Sequence, residues 1–248
     1  MANRSRIKKM IPALILILAM VHPAFAQPYR IREQWYIGAK VGMVSFFGDL
    51  SIHDFDPVSK FTDESDLAWG ILAGKSLNRI FDLKVSLISG AMKGSNPSMD
   101  MYFSNRFSEI STGTSIDITR LIWPQTVSRF HVTAELAFGG ITYRSIKYRQ
   151  SDDTYLSSVG YTSSREVTGS AKTAIVFPMG IGAGYRVSNH WVISAELLYR
   201  LHNTDLLDSQ VGSTGISDRY SYTSIGLIYI LFPVNQNRIK ADECPRWY

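Results

Sequence analysis

Ile175-Val176-Phe177-Pro178-Met179-Gly180-Ile181-Gly182-Ala183-Gly184-Tyr185-Arg186-Val187 is the stretch that decides the fold class. Its odd-numbered residues are all apolar, while the even-numbered ones are Val176, Pro178, three glycines and Arg186. An alternation of period two is the signature of a β-strand whose two faces meet different surroundings. The same alternation recurs on both sides of this stretch. Trp35, Ile37, Ala39, Val41 and Met43 oppose Tyr36, Gly38, Lys40 and Gly42, and Phe130, Val132, Ala134, Leu136 and Phe138 oppose His131, Thr133, Glu135, Ala137 and Gly139. Trp191, Ile193, Ala195, Leu197, Tyr199 and Leu201 oppose Ser194, Glu196, Leu198, Arg200 and His202. In each strand the charges fall on the face opposite the apolar one. Weaker alternation marks Leu67–Ser76, Leu83–Met92, a segment within Tyr102–Ile118 and another within Tyr220–Phe232, for about eight strands in all.

The connections alternate in length. Residues 48–66, 93–100, 145–172 and 203–218 are long or polar, the joins at Leu77–Asp82 and Ser188–His190 are tight, and Thr119–Arg129 is intermediate. Long loops on one side and short turns on the other, with an even strand count, are the habit of outer-membrane barrels. The expected fold is therefore all-β: an antiparallel up-and-down transmembrane β-barrel with both termini in the periplasm.

The N-terminus agrees with export. Arg4, Arg6, Lys8 and Lys9 precede an apolar run from Met10 to Val21 and the small-residue site Ala24-Phe25-Ala26, the layout of a secretory signal peptide cut before Gln27. The run is shorter than the roughly 20 residues of a membrane-crossing helix. Residues 1–26 are thus read as signal peptide, 27–232 as the barrel and 233–248 as a short periplasmic polar tail. Cutting 26 of 248 residues leaves 222, and losing four basic residues takes the formal charge from +5 to +1. The basic balance belongs to the signal, so the footprint of a nucleic-acid binder is absent. The one cysteine, Cys244, stands near the end and has no internal partner.

Mean hydropathy near zero with 12% aromatic residues suits a wall with one greasy and one polar face. A soluble barrel turns its apolar faces inward, a membrane barrel outward. The membrane assignment places Lys40, Lys84, Glu109, Asp117, Glu135, Arg186, Glu196 and Arg200 in the lumen, four positive against four negative. Eight strands enclose only enough space for side chains, and buried charges have to be paired there, so the balance points to a plugged lumen. Trp35, Tyr185, Trp191 and Tyr199 sit toward strand ends on the apolar face, where interfacial girdles form. In the last strand, Ser224-Ile225-Gly226-Leu227-Ile228-Tyr229-Ile230-Leu231 resembles the insertion signal of outer-membrane barrels.

Three further motifs carry a family likeness. They are Gly48-Asp49-Leu50-Ser51, the run Phe177–Ser188, and Glu196-Leu197-Leu198-Tyr199-Arg200 leading to Thr204-Asp205-Leu206-Leu207-Asp208. In their order and spacing across the mature chain they resemble a family of outer-membrane β-barrel proteins of the Bacteroidota. The resemblance implies an eight-stranded barrel of the OmpA or OmpX type in the outer membrane. It brings no catalytic residues. Some relatives look like parts of envelope machines or carry a peptidoglycan-binding domain, and here only the short tail follows the barrel.

For catalysis the candidates are His53 with Asp54 and Asp56, and His202 with Asp205 and Asp208; a general base must lie within hydrogen-bond reach of its partner. Polar loop residues in water account for both groups, and no enzyme is expected. Asp205, Asp208 and Asp218, or His53, Asp54 and Asp56, do not follow the spacing of a calcium loop, so neither metal nor cofactor is expected. Tyr148, Arg149, Tyr155 and Tyr161 lie in the longest loop and are of the types that anchor recognition. The expected partners are outer-membrane lipid and, through the loops, envelope or extracellular proteins. The alternatives are an outer-membrane hydrolase using rim residues, and a periplasmic barrel that binds a small apolar ligand with its apolar faces inside.

Overall fold

The computed structural model describes residues 34–48, 51, 60, 64–124, 128–161, 169–204, 207 and 219–233. The proposed signal peptide and residues 234–248 of the C-terminal tail, with Cys244, lie outside them, as do His53, Asp54, Asp56, Asp205, Asp208 and Asp218.

Nine strands run in chain order among the described residues: β1 (Trp35–Phe47), β2 (Ser65–Ser76), β3 (Phe81–Asn96), β4 (Met101–Asp117), β5 (Phe130–Arg149), β6 (Tyr155–Val159), β7 (Lys172–Arg186), β8 (Trp191–His202) and β9 (Arg219–Ile230). Eight of them form one closed antiparallel wall, each bonded to the next, with β5 passing directly to β7. Closure comes from β1 on β9, in register from Tyr36↔Ile230 to Phe47↔Arg219. The ninth, β6, pairs only with the far end of β5, residues Ser145 to Tyr148.

The tight joins follow from their side chains. Asn78 Oδ1 accepts from the amides of Ile80 and Phe81 (2.8 and 2.7 Å) and so turns β2 into β3. Ser188 Oγ accepts from the amides of His190 and Trp191 (3.3 and 3.2 Å) between β7 and β8. After β4, Asp117 caps the short helix α1 (Ile118–Ile122) by accepting from the Arg120 amide at 2.9 Å. Pro178 sits inside β7 and has no N–H to give. The β5–β7 ladder skips there, from Leu136↔Met179 to Gly139↔Val176, and keeps its register.

Two connections are shorter than the sequence suggests. Residues 93–96 continue β3, leaving only the 3-10 turn Pro97–Met99 before β4, and residues 145–149 continue β5. Apolar alternation does not mark these ends, because their outward faces carry Lys93, Ser95 and Tyr148 with only Ile146 apolar. What holds them is the backbone ladder from Ala91↔Arg106↔Arg144 to Asn96↔Met101↔Arg149. Beyond Gly90 and Tyr143 these strands no longer pair with β2 or β7. They stand above the barrel as a sheet, β3-β4-β5-β6.

The alternation resolves into an inverted protein. Trp69, Leu67, Ile71, Ile110, Leu136, Phe138, Ile181, Leu197 and Ile225 are exposed on the outer wall, whereas Lys40, Lys84, Glu109, Glu135 and Arg200 are buried inside. The alternative of a barrel with its apolar faces inside is overturned by this orientation. At the short-turn rim Trp191 meets Tyr229 edge-on at 4.8 Å and Lys75 lies 5.3 Å over Trp35; nearer the loops Phe138 meets Phe177 at 5.3 Å.

Inward glycines let neighbouring strands cross closely. A Cβ on the inward Gly42 would fall on the Thr223 carbonyl oxygen and the Ser224 backbone, while one on Gly140, which pairs with exposed Ile110 on the outer face, would meet only the Ala174 oxygen at 3.8 Å. Gly42→Ala should therefore abolish the compact, heat-sensitive gel band of the folded barrel, and Gly140→Ala should leave it as in the wild type. A fully folded Gly42→Ala variant would contradict the strand crossing described here.

Candidate functional site

The interior divides into three zones along its axis. In the middle, Lys84 on β3 donates to Glu135 on β5 and to Glu196 Oε1 on β8 at 2.9 Å, and Lys40 on β1 donates to Glu196 Oε2 at 2.9 Å. Two ammonium groups and two carboxylates thus tie four strands across the lumen. A second group lies toward the loops. Arg200 Nε on β8 donates to both oxygens of Glu109 on β4 (3.1 and 2.9 Å), and the Tyr220 hydroxyl on β9 donates to the same carboxylate. The guanidinium lies 5.3 Å from the ring centres of both Tyr220 and Tyr222. Glu109 is 2% exposed and Arg200 1%, so neither charge is hydrated and each depends on the other.

Toward the loops the lumen is filled by apolar and aromatic side chains. Phe46 meets Phe103 edge-on at 4.7 Å, Phe107 lies 5.3 Å from Tyr220, and Met92, Ile141, Tyr143 and Val176 join the same buried cluster. Asn105 Nδ2 donates to the Leu207 carbonyl at 2.6 Å, and Leu207 is itself wholly buried. At the loop end of β1, Lys60 donates to Glu64 at 2.6 Å and lies 4.4 Å over the Phe47 ring; Ser51 Oγ donates to the same Glu64 oxygen at 2.9 Å. Sequence reasoning missed this group. Its trace in the sequence is a Lys and a Glu four residues apart.

At the short-turn end the lumen widens into a cavity of about 120 Å³ lined by Tyr36, Asp82, Arg120, His131, Arg186 and Glu196 among others. Two predicted luminal charges belong here and not to the central groups. Asp117 caps α1 and pairs with Arg120 at 3.3 Å, and Arg186 faces the cavity with no ion pair to the other seven. The other six lie in crossing networks: Lys40, Lys84, Glu135 and Glu196 form one set, Glu109 and Arg200 the other.

The loop candidates gather on the raised sheet. Tyr148 stacks on Tyr102 (5.5 Å between ring centres, 27° between planes), and the Tyr102 hydroxyl donates to Asp153 at 2.9 Å. Arg149 reaches Asp152 at 3.4 Å. Hydrogen bonds from Thr154, side chain and backbone, hold the Asp152 carboxyl below its ordinary range. The Tyr155 hydroxyl bonds with Ser158 Oγ at 3.0 Å, and Tyr161 follows Gly160, whose φ is +81°. Of the rim candidates, His202 is buried inside the barrel with its ring stacked on Tyr220 at 5.0 Å, away from the water a hydrolase would use. Among the described residues no cluster of His, Cys, Asp and Glu has the makings of a metal site.

No family model matches this chain, and no curated protein matches it. Among solved structures it is similar to Neisserial surface protein A, at 15% identity and TM-score 0.45, covering 79% of this chain and 96% of that one. It is similar to Ail, the attachment invasion locus protein of Yersinia pestis, in complex with the heparin analogue sucrose octasulfate, at 11% identity and TM-score 0.43, covering 80% and 97%. A major outer membrane protein from Thermus thermophilus is similar at 9% identity and TM-score 0.44, covering 80% and 99%.

Proposed function

We propose that this chain is an integral outer-membrane β-barrel with a plugged lumen, exported by a signal peptide cut before Gln27, that serves the cell envelope in a structural or partner-binding role. The observation that carries the reading is the inversion of polarity: a continuous outer surface of exposed Leu, Ile, Val, Phe and Trp around an interior of buried, paired charges. In water that surface would aggregate. In a bilayer it is solvated by acyl chains, and the strands, 12 to 20 residues long in the wall, exceed the roughly 9–11 that a tilted strand needs to cross. The resemblance of its motifs to those of the Bacteroidota barrels implies the same location.

The zones above support a plug. Paired charges in the middle and the aromatic cluster toward the loops fill the cross-section, and eight strands leave no room around them. The raised sheet with its stacked tyrosines is then the part free to meet envelope or extracellular proteins. No residue is assigned to catalysis.

Refolded into planar bilayers, the mature chain should give a heat-modifiable gel band and no stable conducting channel. Steady single-channel currents would sink the plug, and failure to partition with membranes resistant to urea extraction would sink the location. The central pairs make a second test. Glu109→Gln leaves Arg200 buried without a counter-charge and should cost about 3–5 kcal/mol, read as a lower urea midpoint for the folded band. Replacing both Glu109 and Arg200 by Met should restore most of it. A midpoint unchanged in Glu109→Gln would show that the pair does not hold the interior together.

A further inference from the structure

The outer face of the raised sheet carries a set of cations that the plug does not use. Arg106 on β4 and Arg144 on β5 are directly opposite each other in the ladder, both on the outward face. Lys93 on β3 is diagonal to Arg106, one step further toward the tip, where it pairs with Ser104. Side chains opposite one another in an antiparallel pair have Cβ atoms about 5 Å apart, and like charges in that position repel. No carboxylate relieves them among the described residues. Arg144 uses only its Nε, toward the Gly169 carbonyl at 3.4 Å. The nearby acids are engaged elsewhere, Asp100 with Ser151 (2.7 Å), Asp152 with Arg149 (3.4 Å) and Asp153 with Tyr102 (2.9 Å).

Their height is as telling as their charge. Going toward the loops, the outer face passes from Leu87, Ile110 and Phe138, which are exposed, to a layer of Ser89, Ser108 and Thr142, where Ser89 and Ser108 share a bond of 3.1 Å, and then to Arg106 and Arg144. Ile110 to Arg106 is four residues, about 13 Å along a strand and less along the membrane normal once the strand tilts. That is where lipid headgroups begin. The tyrosines Tyr102 and Tyr148 stack further toward the tip, beyond the row of Lys93, Ser104 and Ile146.

We infer that Lys93, Arg106 and Arg144 form a binding site for the phosphomonoester headgroup of an outer-leaflet lipid. The inference rests on the outer-membrane reading. Guanidinium groups bind phosphate bidentately, and a phosphomonoester, with a charge between about −1.5 and −2 at neutral pH, neutralises this set better than the single charge of a phosphodiester. The bound phosphate bridges the two opposed guanidiniums and removes their repulsion, so lipid stabilises the raised sheet on the barrel.

The test refolds the full mature chain into three kinds of vesicle: phosphatidylcholine alone, phosphatidylcholine with diphosphorylated lipid A, and phosphatidylcholine with phosphatidylglycerol at matched charge. The urea midpoint of the folded band should rise with lipid A and rise less with phosphatidylglycerol. In the triple variant Lys93→Gln, Arg106→Gln, Arg144→Gln the midpoint in phosphatidylcholine should be at least that of the wild type, because the repulsion is gone, and the rise with lipid A should vanish. A rise of equal size in the variant overturns the site. An equal rise with phosphatidylglycerol overturns its preference for a phosphomonoester. A wild type that folds stably in phosphatidylcholine and ignores lipid A overturns the inference and leaves the membrane reading standing; a chain that folds into none of the vesicles overturns both.

Discussion

Everything in this molecule depends on the ladder between β1 and β9. A sheet surrounded by hydrocarbon has nothing to satisfy the backbone groups of an open edge, so every N–H and C=O must find a partner within the wall. The register from Tyr36↔Ile230 to Phe47↔Arg219 removes both edges at once. It also fixes the number of strands, and with it the width of the interior. A lumen of this width has space for side chains and little else, which turns each inward residue into part of a packing problem. Gly42 and Gly139 answer it by omission, each lying against the backbone of the neighbouring strand.

The charged groups answer the same problem differently. A lysine or glutamate inside the wall loses its water and has to recover the lost solvation from partners. Because Lys84 bonds both Glu135 and Glu196, and Glu196 bonds both Lys84 and Lys40, the central set is one connected network and not a row of separate pairs. Glu109 is held from two directions, by Arg200 and by the Tyr220 hydroxyl. These bonds join strands far apart in sequence, 156 residues in the case of Lys40 and Glu196. They brace the barrel across its diameter, where the ladder only joins neighbours.

Much of this is legible in the amino-acid sequence. The alternation in β1, β5, β7 and β8 places those strands and separates their faces, because a wall with lipid outside, as proposed, needs one face apolar at every second residue. It fails where that condition lapses. Residues 93–96 and 145–149 continue their strands past the apolar belt, where Lys93, Ser95 and Tyr148 stand on the outward face and the sequence carries no apolar alternation. The charge set is visible as composition, yet which charge meets which is not: Asp117 shares the parity of Glu109 but stands at the far end of β4, where it caps α1 and holds Arg120. Tyr220 and Tyr222, central to the interior, read in sequence only as members of the last strand. Their role depends on the closed wall, which sets Tyr220 within reach of Glu109 on the distant β4.

The central claim is that the apolar faces meet lipid and the charged faces meet one another. It is tested most directly by cysteine scanning along β9 from Thr223 to Ile228, in a chain carrying Cys244→Ser and refolded into vesicles, with a spin label at each position. Oxygen, which concentrates in the acyl region, should broaden the label strongly at Thr223, Ile225 and Leu227 and weakly at Ser224, Gly226 and Ile228. The opposite phase, or no alternation at all, would contradict the account.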